Sequence, residues 1–121
     1  MNKKITKKGE GQAVEVGDTV VIHYTGTLLN GEKFDSSVDR GEPFVCPIGI
    51  GYVIEGWDKG IVGMQVGEEA VLTIEPEMGY GDAEMGNIPP NSTLVFEVKL
   101  LQVYTKSQIE EIMKAKEETK K

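Results

Sequence analysis

The sequence holds one histidine, His23, one cysteine, Cys46, and one arginine, Arg40. A single cysteine cannot close a disulfide within the chain, which excludes a secreted disulfide scaffold. With His23 alone, a histidine-rich zinc site has no ligand set to draw on, and one thiol adds too little. No apolar run approaches the roughly 18 residues that a membrane span needs. The basic opening Met1-Asn2-Lys3-Lys4-Ile5-Thr6-Lys7-Lys8-Gly9 is followed by no apolar segment, so it does not read as a secretory signal. The glycine motifs that cradle phosphates in nucleotide-binding proteins are absent as well. These absences lead to the expectation of a cytoplasmic protein, in a reducing compartment, with no metal, no cofactor and no membrane contact.

Positive charge is also scarce where it would matter. Residues 11–104 carry fifteen acids against four bases (Lys33, Arg40, Lys59 and Lys99), a balance of −11 within a net charge of −7. Such a body repels nucleic-acid phosphates, so nucleic-acid binding is not expected. The lysines gather at the two ends, where solvated tails are the natural reading.

What is present fits one domain. A chain of 121 residues, 39% hydrophobic and 27% charged, buries a modest core. Fifteen glycines favour a β-rich chain with many tight turns over a helical bundle. Residues 1–12 read as a flexible basic arm, 13–104 as the domain, and 105–121 as a charged extension with a short helix. Thr19-Val20-Val21-Ile22-His23-Tyr24-Thr25 is rich in β-branched and aromatic residues and reads as a strand. Asn30-Gly31 turns it into a hairpin with Glu32-Lys33-Phe34-Asp35-Ser36-Ser37. Pro43 and Pro47 confine Pro43–Ile48 to an edge or interrupted strand. Val53, Ile54, Trp57, Ile61, Val62 and Met64 fall at helical spacing, and Gly56, Gly60 and Gly63 keep that helix short and closely approachable. Ala70–Ile74 reads as a strand stopped by Pro76. Residues 75–91 form a long loop of the kind that carries function. Thr93–Leu101 is a strand with Leu94, Phe96, Val98 and Leu100 on one face. Ser107 with Glu110 suggests a capping box opening a final short helix. The expected class is α+β, an antiparallel curved sheet over one short helix.

Conventional catalysis finds little to work with. Cys46 and His23 are the one nucleophile and base on offer, but Cys46 lies in an apolar stretch beside Pro47, which suits filler better than reactivity. Aromatic side chains are left. Tyr24, Phe34, Phe44, Trp57, Tyr80 and Phe96 come from six different segments. They can all be core, yet a tryptophan is hard to hide completely and buried tyrosine hydroxyls need partners. A concave aromatic site with a few polar tips has the character of a small-ligand pocket.

His23-Tyr24-Thr25-Gly26, Gly31-Glu32-Lys33-Phe34-Asp35-Ser36-Ser37 and Val53-Ile54-Glu55-Gly56-Trp57 resemble the FKBP-type peptidyl-prolyl cis-trans isomerases. So do Gly79-Tyr80-Gly81, Ile88-Pro89-Pro90 and Thr93-Leu94-Val95-Phe96-Glu97-Val98, in unbroken order from about Gly17 to Leu101. The resemblance implies a pocket between helix and sheet, with Trp57 as floor and Tyr24, Phe34, Phe44 and Phe96 as walls. By the same resemblance Val53 and Ile54 line the mouth together with Ile88. The Ile54 N–H and the Tyr80 hydroxyl would hold carbonyls, and Asp35, with Arg40 as charge partner, would be the polar group in the wall. Asp35 then either orients Tyr24, acts on the twisted carbonyl carbon, or is a buried acid satisfied by Arg40.

The implied partners are proline-containing peptides, flexible protein clients, and macrolides of the tacrolimus and rapamycin type, bound by a monomer. The alternative is a binding module that holds a partner's proline-containing segment without turnover. The chain departs from the family pattern at Cys46, where a phenylalanine is frequent and a smaller pocket edge results. It departs also at Tyr52, which adds an aromatic to the rim, and at Met78 and Asn87. The 81–89 loop is one residue short, and recruitment of calcineurin by a drug complex would depend on that loop.

Overall fold

Strict alternation decides the centre of the sheet. Along Thr19–Leu28 every second residue is buried, so one face of this strand belongs to the core. The computed structural model describes the backbone of residues 1–119 and the side chains of residues 1–115. The elements run β1 (Asn2–Lys7), β2 (Glu10–Ala13), β3 (Thr19–Leu28), β4 (Lys33–Ser36), α1 (Ser37–Arg40), β5 (Phe44–Pro47) and α2 (Glu55–Ile61). They continue with β6 (Gln65–Val66), β7 (Glu69–Ile74), a 3-10 turn (Pro76–Met78), β8 (Leu94–Tyr104) and α3 (Lys106–Thr119). The main sheet is six-stranded and antiparallel in the order β1-β7-β8-β3-β4, with β5 also on β3. Thus β3 pairs along its full length with β8 on one side, while β5 takes Thr19–Ile22 and β4 takes Thr25–Thr27 on the other. The α+β class is as expected.

The β3–β4 hairpin turns at Leu29-Asn30-Gly31. Gly31 N–H donates to the Leu28 carbonyl and Leu28 N–H to the Glu32 carbonyl, both at 2.9 Å. Only Gly31, at φ 89°, takes the left-handed conformation, which makes this a three-residue loop closed by a glycine bulge. Asn30 instead caps the turn, its side-chain oxygen accepting from Glu32 N–H at 2.9 Å.

Helix α2 lies against β7 because two of its residues have no side chain. A Cβ placed on Gly56 would sit 2.6 Å from Ile74, and one on Gly60 would sit 2.9 Å from Leu72. Trp57 and Ile61, on the same short helix, are buried. Val20, Ile22, Leu72, Ile74, Leu94 and Leu100 complete the core below. β8 buries Leu94, Phe96, Val98 and Leu100 on one face, and the strand runs on to Tyr104 through a register shift opposite Val21 and Ile22.

Three expectations are corrected. Residues 1–12 are not a loose arm over their length: β1 pairs with β7 from Asn2 to Lys7, and β2 pairs with β6. Lys3 Nζ lies 3.4 Å from the buried carboxylate of Glu68, giving that strand a charge to neutralise. Ser37–Arg40 forms a one-turn helix, capped by Ser36 and closed by Gly41 at φ 70°, where a strand end was expected. The capping box of α3 falls two residues earlier than Ser107/Glu110. Thr105 Oγ1 accepts from Gln108 N–H at 3.2 Å, and Gln108 Oε1 accepts from Thr105 N–H at 2.8 Å. The last two residues of the 105–121 extension lie outside the described residues.

Candidate functional site

Tyr24 points to the core from the middle of β3, and Phe96 does the same from β8, where it pairs with Gly26. Gly26 is what lets the wall form. A Cβ there would fall 2.6 Å from the Phe34 ring and 2.8 Å from Phe96, so the two rings meet over the bare backbone with centroids 5.5 Å apart. Trp57 rises from α2 to meet Tyr24 at 4.9 Å, Phe96 at 5.2 Å and Phe44 at 5.9 Å, each pair edge to face. Edge-to-face packing places positive ring edges on negative faces and fixes each ring's tilt. The result is a recess of about 520 Å³ lined by Tyr24, Phe34, Phe44, Trp57, Phe96 and Tyr80, with Asp35, Tyr52, Val53 and Ile54 at its edge.

Trp57 is only 5% exposed and closes the floor. Its Nε1 is buried with no acceptor among the described residues. A lost hydrogen bond of this kind costs about 1–3 kcal/mol, which the burial of a large ring offsets.

The polar groups gather on one side. Tyr24 Oη donates to Asp35 Oδ2 at 2.5 Å, Arg40 Nη1 donates to Asp35 Oδ1, and Arg40 Nη2 donates to Tyr24 Oη at 3.1 Å. The guanidinium also lies 5.6 Å from the centre of the Tyr24 ring. Burial by itself would raise the Asp35 pKa, but the hydrogen bonds from Tyr24 and Arg40, with the Arg40 charge, hold it below the usual carboxylate value. Burial, followed by the bond to Asp35, pushes the Tyr24 hydroxyl up. Burial and then the Asp35 charge push Tyr80 up too. Asp35 is therefore an anion and both phenols are neutral donors near pH 7. Arg40 satisfies Asp35 as one of the expected readings has it, but the Asp35 side chain is 42% exposed and so is not a buried acid.

Two donors remain uncommitted at the mouth. Neither Tyr80 Oη nor Ile54 N–H bonds to another group among the described residues. Ile54 is the residue before α2, where the first N–H groups of a helix find no intrahelical acceptor.

The structure brings together nine of the expected residues (Tyr24, Phe34, Asp35, Phe44, Val53, Ile54, Trp57, Tyr80 and Phe96) and leaves three off the recess wall. Cys46 is 1% exposed and pairs with Val20, two residues along β5 from Phe44, so it packs in the core and not at the pocket edge. Burial, helped by the negative charge of Asp58, raises its thiol to about 11, which leaves it inert as a nucleophile at neutral pH. Ile88 is buried beside a smaller adjoining cavity that shares Phe34, Asp35 and Tyr80 with the main one. Arg40 stands behind Asp35. Sequence reasoning missed Asp58, whose carboxylate accepts from Gly49 and Gly51 N–H at 2.8 Å each and holds the loop that carries Tyr52, Val53 and Ile54. An acid placed on a helix just after a glycine-rich loop is the signal that would have found it.

No helix among the described residues is long and apolar enough to cross a membrane. No cluster of three or more acidic, histidine or cysteine side chains among them is placed to hold a metal ion.

Comparison with known proteins adds four findings. Residues 10–101 match the family model described as FKBP-type peptidyl-prolyl cis-trans isomerase. A Schizosaccharomyces pombe protein named peptidyl-prolyl cis-trans isomerase is 55% identical over 108 residues, covering 88% of this chain and 96% of the relative. FK506-binding protein 1 of Saccharomyces cerevisiae is 58% identical over 106 residues, covering 84% and 93%. Among solved structures, Escherichia coli FkpA superposes with a TM-score of 0.79 at 45% identity, over 85% of this chain and 47% of that one.

Proposed function

The chain belongs to the FKBP-type peptidyl-prolyl cis-trans isomerases, and from that premise we propose that it accelerates rotation about X–Pro bonds within the Trp57-floored recess. The single observation that carries this reading is an aromatic cavity with an anion on its wall and two uncommitted donors at its mouth.

An amide resists rotation by roughly 18–20 kcal/mol because conjugation keeps it planar. At X–Pro both isomers are populated, and they exchange in tens to hundreds of seconds. Twisting the bond breaks conjugation and reduces the charge separation between oxygen and nitrogen. A water-poor aromatic recess favours that less dipolar state, provided it binds the twisted form better than the planar one. No proton moves and no covalent bond forms, so the shortage of histidine and nucleophiles is no obstacle. A barrier lowered by about 5–8 kcal/mol gives four to six powers of ten in rate.

In this reading Tyr24, Phe34, Phe44, Trp57 and Phe96 supply shape and low polarity. Ile54 N–H and Tyr80 Oη hold the flanking carbonyls. Asp35, held anionic by Arg40, keeps Tyr24 oriented and places negative charge beside the carbonyl carbon as it loses conjugation. Macrolides of the tacrolimus and rapamycin type occupy the same recess, a reading supported by the name of the yeast relative. The chain acts as a cytoplasmic monomer on flexible, proline-containing clients.

Trp57 is the sole tryptophan, so its emission reports on the recess directly. Titration with rapamycin should change that emission saturably and abolish the acceleration of a Leu-Pro peptide at the same stoichiometry. A fluorescence change with turnover left intact would place catalysis outside this recess.

A further inference from the structure

The rim of the recess carries one ring that the interior does not use. Tyr52 borders the cavity yet is 67% exposed, and Ile50, two residues before it, is 58% exposed. Tyr24, Phe34, Phe44, Trp57 and Phe96 each pack edge to face on a neighbour, whereas Tyr52 makes no ring contact among the described residues. An exposed tyrosine is ordinary when its loop is mobile, because ordering it on a ligand then costs entropy. This loop is held in place. Gly49 and Gly51 adopt φ of 86° and 80°, turning their N–H groups to the two oxygens of Asp58, both at 2.8 Å. Asp58 belongs to α2, next to Trp57, so floor and rim are fixed to the same helix. Beyond the clamp, Trp57 and Asp58 N–H both donate to the Ile54 carbonyl, at 3.0 and 3.2 Å, which sets the angle of the Ile54 peptide.

We propose that Tyr52 is a specificity-determining residue, an aromatic shelf continuous with the recess that receives an aromatic side chain of the client flanking the X–Pro bond, and that Asp58 is the positioning residue that holds the shelf in place. The inference rests on the isomerase reading above. A preorganised ring at the edge of a desolvated pocket gains ring–ring attraction at little ordering cost. The gain is realised in ground and transition states alike, so it appears in KM and leaves kcat largely untouched. The preferred substrates are then peptides with phenylalanine, tyrosine or tryptophan within two residues of the prolyl bond.

The test measures exchange rates of Leu-Pro peptides that differ only in phenylalanine or alanine at one position, either two residues before the proline or directly after it. The parent protein should favour phenylalanine in at least one of the two pairs by about three- to tenfold in kcat/KM, through KM. Tyr52→Ala should bring that ratio to about one, and Tyr52→Phe should restore it, since the ring and not the hydroxyl makes the contact. Asp58→Asn, which replaces one acceptor by a donor, should lower the ratio and speed amide exchange at Gly49 and Gly51. Equal rates for the paired peptides with the parent protein, or a preference unchanged in Tyr52→Ala, overturn the shelf while leaving the isomerase reading intact. A preference kept by Asp58→Asn overturns the positioning role. Acceleration of none of the peptides overturns the isomerase reading itself.

Discussion

Tyr24 donates its hydroxyl proton to Asp35 at 2.5 Å, and Arg40 bonds to both partners from behind. The arrangement makes Asp35 an acceptor already shared by two donors, half exposed to the recess. Its energetic value to folding is small, because pairs open to solvent are screened. Its value to turnover is positional. Asp35→Asn should lower kcat/KM for a Leu-Pro peptide by roughly tenfold, the loss of one charge-assisted bond, with the melting temperature little changed. Undiminished turnover in Asp35→Asn would assign the residue no part in catalysis.

The pH dependence follows from the same three groups. Asp35 titrates below its ordinary 3.8 in the folded chain, so the stability it contributes is present above that value and is lost as pH falls through the lower, folded pKa. Tyr24 and Tyr80 titrate above 10.0, so their contribution is present below that pH and is lost as pH rises beyond it. Between these limits none of the site groups changes charge. Turnover measured from about pH 5 to 9 should therefore be flat, without the bell that a titrating acid and base produce.

Gly26 bears the aromatic wall by having no side chain. Gly26→Ala should force the Phe34 and Phe96 rings apart, costing about 1–3 kcal/mol of stability and most of the activity. Denaturant unfolding, read alongside the peptide assay, checks both effects. A variant as stable and active as the parent would mean that the rings do not pack over Gly26.

Lys3 and Glu68 are the counterpart outside the site. Glu68 is 5% exposed, and its Oε1 accepts from Gln65 N–H at 3.4 Å. Its Oε2 has no hydrogen-bond partner among the described residues, and the Lys3 ammonium lies 3.4 Å from that oxygen. Lys3→Met should destabilise the fold by about 1–3 kcal/mol while leaving the kcat/KM of the folded protein near that of the parent. Equal midpoints in urea for the two proteins would show that β1 contributes only its backbone pairing.

Much of this architecture is legible in the sequence, for physical reasons that can be named. β3 and β8 carry a period-two alternation, and the aromatic positions on their inward faces, Tyr24 and Phe96, follow from it. α2 is visible through the spacing of Ile54, Trp57 and Ile61. β1 is not, because Asn2–Lys7 is polar and lysine-rich and becomes a strand only by pairing with β7. Intrinsic propensity is overridden there by tertiary contact. Cys46 was misplaced for a different reason: it shares a strand with Phe44, but one step of two residues moves a side chain about 6.8 Å, from recess to core. The Asp58 clamp is legible only as an acid on a helix after a glycine-rich loop; the direction of the Gly49 and Gly51 N–H groups that completes it is set by the folded backbone.

The most direct measurement is the exchange rate of a Leu-Pro peptide followed by NMR, without a coupled protease, at substoichiometric protein. The parent should carry the cis–trans exchange from tens of seconds into the subsecond range at micromolar protein, and Phe34→Ala should lose most of that effect. An exchange rate equal to the uncatalysed one, with the recess folded and rapamycin still altering Trp57 emission, would contradict the account and leave a binding pocket without turnover.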